Sequence, residues 1–173
     1  IKYGRKIGPD PASLDSAMIG GIAANNASGM CCGTSENSYK TVAEMRLIFS
    51  DGTVLDTADK DDTASFRSKK GDLLEKLEQL AVNVKEDKEL SEKIHRKYKI
   101  KNTTGYSLNA LVDYTDGIDI IKHMMIGSEG TLHYGDFLLG QFDGLFGLSL
   151  LPMPFRLTPC FAFVIILGME RQA

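Results

Sequence analysis

Thr41-Val42-Ala43-Glu44-Met45-Arg46-Leu47-Ile48-Phe49-Ser50-Asp51-Gly52-Thr53-Val54-Leu55-Asp56-Thr57 decides the fold. Met45, Leu47 and Phe49 alternate with Glu44, Arg46 and Ile48, which is the period of a half-buried strand. The pair Asp51-Gly52 predicts a two-residue type I′ hairpin turn, whose positions both need positive φ. Residues 53–57 then return as the partner strand. Downstream the period changes. Residues 60–70 are polar and read as a loop. Residues 72–85 place Leu73, Leu77, Leu80, Ala81 and Val84 on one face at helical spacing. Residues 88–99 form a second amphipathic run with Leu90 and Ile94 inward. Glu75, Glu78, Lys85 and Glu89 belong to the wet face. Residues 102–105 read as a turn, and 107–112 as a short helix or extended piece. Asp119 is placed to cap a helix over 120–126, with Gly127 as its stop. Leu132 opens a further strand. These elements predict an α+β domain: a mixed or antiparallel sheet holding the 41–57 hairpin, with the 72–99 helices on one face.

Upstream of the hairpin, residues 1–40 are loop-rich and almost free of bulky side chains. Gly8-Pro9-Asp10-Pro11-Ala12-Ser13, Ile19-Gly20-Gly21, Ala24-Asn25-Asn26 and Gly29 form a surface on which main-chain N–H groups can approach a ligand closely. Successive amides in such turns make an anion site without a cation. Paired carboxamides can bond a ligand's hydroxyls or ring carbonyls, or the backbone. A tight structural loop is the competing reading. The stretch is neither a P-loop nor a dinucleotide fingerprint, because G-x-x-x-x-G-K-[ST] and G-x-G-x-x-G are both absent.

At 173 residues the chain suffices for one domain with a real core. Its 20 Lys and Arg against 23 Asp and Glu give a net charge of −3 and no basic stripe, so no nucleic-acid partner is expected. The three cysteines, Cys31, Cys32 and Cys160, lack zinc or redox spacing and fit a reducing compartment. Inert packing suits Cys31 and Cys32 better than a flavin-linked or reactive thiol. His95, His123 and His133 are scattered, and no metal site is expected. The chain opens at Ile1, inside a polar turn, which suggests an N-terminal truncation. From Asp136 onward the character shifts to an apolar tail. Its run over residues 161–167 is too short to span a bilayer and reads as a buried strand or an aggregation-prone tail. Gly127-Ser128-Glu129-Gly130-Thr131-Leu132 sets a lone carboxylate, Glu129, between glycines, where it could accept bonds from a ligand or from loop amides.

These motifs occur in one order that is similar to a known family. Added to them are Gly29-Met30-Cys31-Cys32-Gly33, Asn37-Ser38-Tyr39 and Lys101-Asn102-Thr103-Thr104-Gly105-Tyr106-Ser107-Leu108-Asn109-Ala110-Leu111. The chain resembles the FAD-linked oxidases and dehydrogenases of the vanillyl-alcohol-oxidase type, with a PCMH-type FAD-binding domain. Within it, the D-lactate dehydrogenase and glycolate oxidase flavin-subunit branch is the nearest in look. The resemblance spans residues 1–132 and leaves 133–173 as a divergent tail, either frameshifted or the start of another segment.

The resemblance implies an FAD-binding domain of two α+β subdomains, of which this chain looks like the second. It implies that Ser13 and the Ile19-Gly20-Gly21 turn face the diphosphate and ribityl chain. Ala24, Asn25, Asn26 and Gly29 line the same side, Val42 lies near the adenine, and Glu129 joins the set. Amides, and no cation, would hold the phosphates. The implied parent oxidises a small 2-hydroxy acid: a base takes the hydroxyl proton and the flavin takes hydride. Electrons then pass to a quinone, a cytochrome or an iron–sulfur partner, and the large members carry iron–sulfur segments outside this region. The first flavin subdomain and the substrate domain are missing here, so the chain alone is expected to be inactive. The alternatives are a non-catalytic folding module and a flavoenzyme with other chemistry. A cytoplasmic setting is expected, with peripheral attachment at the inner membrane face compatible.

Overall fold

In the computed structural model the described residues are 8–13, 15–29, 33–49, 51–103 and 105–128, with the backbone of Ala162–Met169. The elements in chain order are α1 (Ile19–Ala24), α2 (Ser38–Thr41), β1 (Val42–Phe49), β2 (Val54–Asp56), α3 (Lys60–Lys69), α4 (Gly71–Glu86), α5 (Lys88–Tyr98), α6 (Ala110–Asp113), α7 (Gly117–Met124) and β3 (Ala162–Met169). The architecture is α+β, as the periodicity predicts. The sheet is antiparallel in the order β2-β1-β3, so the β1 strand is central. The apolar run near the C-terminus does form a strand on β1. The strand expected from Leu132 lies outside the described residues.

The alternation along β1 holds. Met45, Leu47 and Phe49 are buried, whereas Glu44 and Arg46 face solvent. Arg46 pairs across the ladder with Asp56, its Nη2 2.6 Å from the carboxylate. On the inner face Leu47 stands opposite Leu55, and Phe49 packs against Phe66 with ring centroids 5.1 Å apart. Each such buried apolar side chain is worth about 1.5–3 kcal/mol relative to exposure. Leu74, Ala110, Ile118, Ile121 and Ile126 complete this core. A second cluster of Ala81, Val84, Ile94, Leu111 and Ile120 joins α4 and α5 to α6 and α7.

Several expectations need correction. The hairpin is closed by Phe49, whose N–H donates to Thr53 O at 2.8 Å, while Gly52 N–H donates to Phe49 O at 2.9 Å. That is a three-residue loop with Gly52 at φ 79, the αL position of a G1 bulge, and not a two-residue type I′ turn. Residues 60–70 are the helix α3 rather than a loop. Asp59 caps it by accepting from Asp61 and Asp62 N–H, and acids in its first turn and bases in its last complement the helix dipole. In α4 the buried stripe is Leu74, Ala81 and Val84, with Leu73 and Leu77 half-buried and Leu80 exposed. Leu90 is likewise exposed, leaving Ile94 as the inward residue of α5. Glu78 and Lys85 are half-buried and bonded: Glu78 accepts from Gly117 N–H at 2.9 Å, and Lys85 donates to Tyr114 O at 2.6 Å. Finally Asp116, not Asp119, caps α7, accepting from Ile118 and Asp119 N–H.

Candidate functional site

The small-residue stretch folds into an exposed turn, a short helix and a tight return. Ser13 is exposed, and its carbonyl accepts from Ser16 and Ala17 N–H. Ile19, Gly20 and Gly21 form the first turn of α1, where no side chain caps the helix and a Cβ on Gly21 would meet nothing within 4 Å. Asn25, Asn26 and Ala27 turn their N–H groups back onto Gly21, Ala23 and Ile22 carbonyls at 3.1, 2.9 and 2.8 Å. The amides at the C-terminal end of α1 are therefore spent on closing the helix. Those of its first turn lie roughly 9 Å away at 1.5 Å per residue. Gly29 sits so close to the Asp10 carbonyl that a Cβ would fall 1.6 Å from the oxygen. This contact folds residues 8–13 against the return.

Asn26 is buried at φ 43, a left-handed position that Asn tolerates better than most residues. Its carboxamide bridges the protein interior, accepting from Tyr39 N–H at 3.3 Å and donating to Asn102 O at 3.2 Å. Val42 is buried in the main core. Glu129 lies outside the described residues, as do Cys31, Cys32 and Cys160.

What the loop does form is a wall, shared with the segment after α5. Lys101 Nζ donates to Ser28 O at 2.5 Å, beside the Asn26–Asn102 bond. These two bonds tie 26–28 to 101–102 across more than seventy positions of sequence. Alternate residues of the tied segment face different spaces. Lys101 and Thr103 line an open cleft of about 460 Å³ together with Pro11, Asn25, Ala27 and Ser28. Ile100 and Asn102 line a smaller chamber of about 80 Å³ with Asn26, Tyr39, Tyr98 and Asn109 among others. The cleft falls in the roughly 300–1,000 Å³ range of ligand sites. Among the described residues its lining contains no carboxylate. Of the described residues read from sequence as cofactor-binding, Asn25 lines it, together with Pro11 of the 8–13 turn. Lys101 and Thr103 were not among those candidates. The readable signal was a lysine placed beside a turn of Asn and Thr instead of on the charged face of a helix.

Behind the chamber lies a bonded aromatic group. Tyr39 Oη donates to Asp113 at 2.7 Å, which also accepts from Asn109 Nδ2 at 3.1 Å. Burial and that bond hold the Tyr39 phenol protonated far above its ordinary range. His123 stacks on Tyr114 at 3.9 Å, with Nε2 2.8 Å from the Tyr114 hydroxyl and Nδ1 2.8 Å from Asp119 O. Burial lowers the His123 pKa to about 4, so the ring is neutral near neutral pH.

A family model described as an FAD binding domain matches residues 1–58. No curated protein and no solved structure matches the chain. The family match supports flavin binding. The matched stretch contains the small-residue loop, α1, α2, β1 and β2. Lys101 and Thr103 lie beyond it. No helix among the described residues is long and apolar enough to cross a membrane.

Proposed function

We propose that the chain is the flavin-binding half of an FAD-dependent dehydrogenase acting on a small 2-hydroxy acid of the D-lactate or glycolate type. The observation that carries this reading is the family match over residues 1–58, which includes one wall of an open cleft with no carboxylate among its described lining residues. A dinucleotide needs hydrogen-bond partners along its length and no negative charge beside its phosphates. The described lining offers such partners on one side, in Asn25, Lys101 and Thr103. Asn25, Ser28, Lys101 and Thr103 would hold the cofactor there. The exposed first turn of α1, with Ile19, Gly20 and Gly21, and the Ser13 turn would extend the contact. FAD, when bound, supplies the two-electron redox chemistry; the protein supplies placement and electrostatics. Closing the other side is the work of a complementary flavin subdomain, and holding the hydroxy acid that of a substrate domain. Both are proposed partners in the parent enzyme, with a quinone, cytochrome or iron–sulfur acceptor beyond them.

Titration of the purified chain with FAD, followed by flavin fluorescence, tests the reading. Saturable binding is expected, together with no reduction of a dye acceptor by D-lactate until the complementary segments are supplied. Absence of FAD binding would leave a folding module, the second reading. Steady turnover by the chain alone would refute the half-site assignment.

A further inference from the structure

We propose that Lys101 is the cationic anchor of a diphosphate-type anion in the open cleft. The identity of that anion as part of a flavin dinucleotide rests on the function proposed above, whereas the anion subsite itself rests on geometry. Four other cations of the described surface are neutralised by carboxylates: Arg46 by Asp56, Arg67 by Asp116, Lys70 by Asp51 and Lys122 by Asp119. Lys101 is fixed by a carbonyl instead, as Lys85 is on Tyr114 O, and of these two it is Lys101 that lines the cleft. Its ammonium is held by the Ser28 carbonyl, and among the described residues it makes no ion pair. A carbonyl anchor orders the long side chain without cancelling its charge. An ammonium has three N–H donors. One is used on Ser28, so two remain for an incoming oxyanion.

The surroundings agree with an anion. Ser28 lines the cleft, and its hydroxyl, itself enclosed, has no hydrogen-bond partner among the described residues. Asn25 and Thr103 add exposed polar side chains to the lining. Lysine binds phosphate as a compact point charge, and charge-assisted bonds are about twice as strong as neutral ones. The proposal replaces the expectation of a site built from amides alone. The amides of residues 25–27 beside the cleft are already bonded within the protein, and the positive charge among the described lining residues comes from a segment far away in sequence.

The test is calorimetric titration of the full chain, wild type and Lys101→Gln and Lys101→Arg, with inorganic pyrophosphate and separately with FAD. Lys101→Gln is expected to weaken both about tenfold or more, and Lys101→Arg to stay within about threefold of wild type. Pyrophosphate binding that depends on Lys101 with no FAD binding would keep the subsite and defeat the flavin reading. FAD binding that is unchanged in Lys101→Gln would do the reverse. Binding of neither probe by wild type would overturn both. Should Lys101→Gln lose its native circular dichroism, salt dependence of wild-type pyrophosphate binding decides. Affinity that falls steeply with ionic strength is expected, and a flat profile overturns the proposal.

Discussion

At the scale of single residues, Asn26 shows how a side chain suited to a ligand can be committed to the fold. Both ends of its carboxamide are bonded, and its backbone sits where a β-carbon is costly. Asn26→Ala leaves the buried Tyr39 N–H without its carboxamide acceptor and removes the bond to Asn102 O at the junction of the two walls. A loss of about 2–3 kcal/mol of stability is expected in urea titration, and a change below about 0.5 kcal/mol would contradict the bridging role. The sequence could show that Asn25-Asn26 was a carboxamide pair in a turn. It could not show which of the two faced inward, because that depends on residues 39 and 102. His123 gives a second expectation. Its pKa falls from 6.5 in the unfolded chain to about 4 in the folded one, because burial disfavours the imidazolium. Between those values the unfolded chain binds the extra proton, so stability rises with pH from about 4 to 6.5. His123→Phe, which keeps a stacking ring, should flatten that slope in denaturation curves recorded across this range.

At the scale of elements, the hairpin was legible because a half-buried strand writes its period in a handful of residues. Helix α3 was not, because it buries only Phe66 and has no apolar stripe to read. Its evidence lay in Asp59 and in the order of charges, acid first and base last. The facing of α4 departs from the periodic stripe on one side for a tertiary reason. Gly117 at the start of α7 lets that helix approach so closely that a Cβ there would lie 2.9 Å from Leu74 Cδ2. Leu74 is therefore the residue pressed into the core, and Leu80 is left outside. Leu74→Ala should cost about 2–5 kcal/mol, whereas Leu80→Ala should stay within about 0.5 kcal/mol in chemical denaturation. Equal losses at the two positions would return the helix to the facing read from periodicity.

At the scale of the whole molecule, the fold class was readable and the assembly of the site was only partly so. Short-range pattern singles out Asn25, which lines the cleft, and the exposed first turn of α1, which does not, since glycine and alanine runs announce an approachable backbone. It passes over Lys101, whose place at the cleft is set by its contact with Ser28, which no local window contains. The stretch from Ile100 to Thr103 partitions two spaces by parity, odd positions to one side and even positions to the other. Such a partition is intolerant of frame. Gain of one amino acid just before Ile100 would shift the frame at a stroke, sending an isoleucine and a carboxamide where the ammonium and the hydroxyl had stood. Point changes there adjust a surface; a change in length trades one chamber's chemistry for the other's.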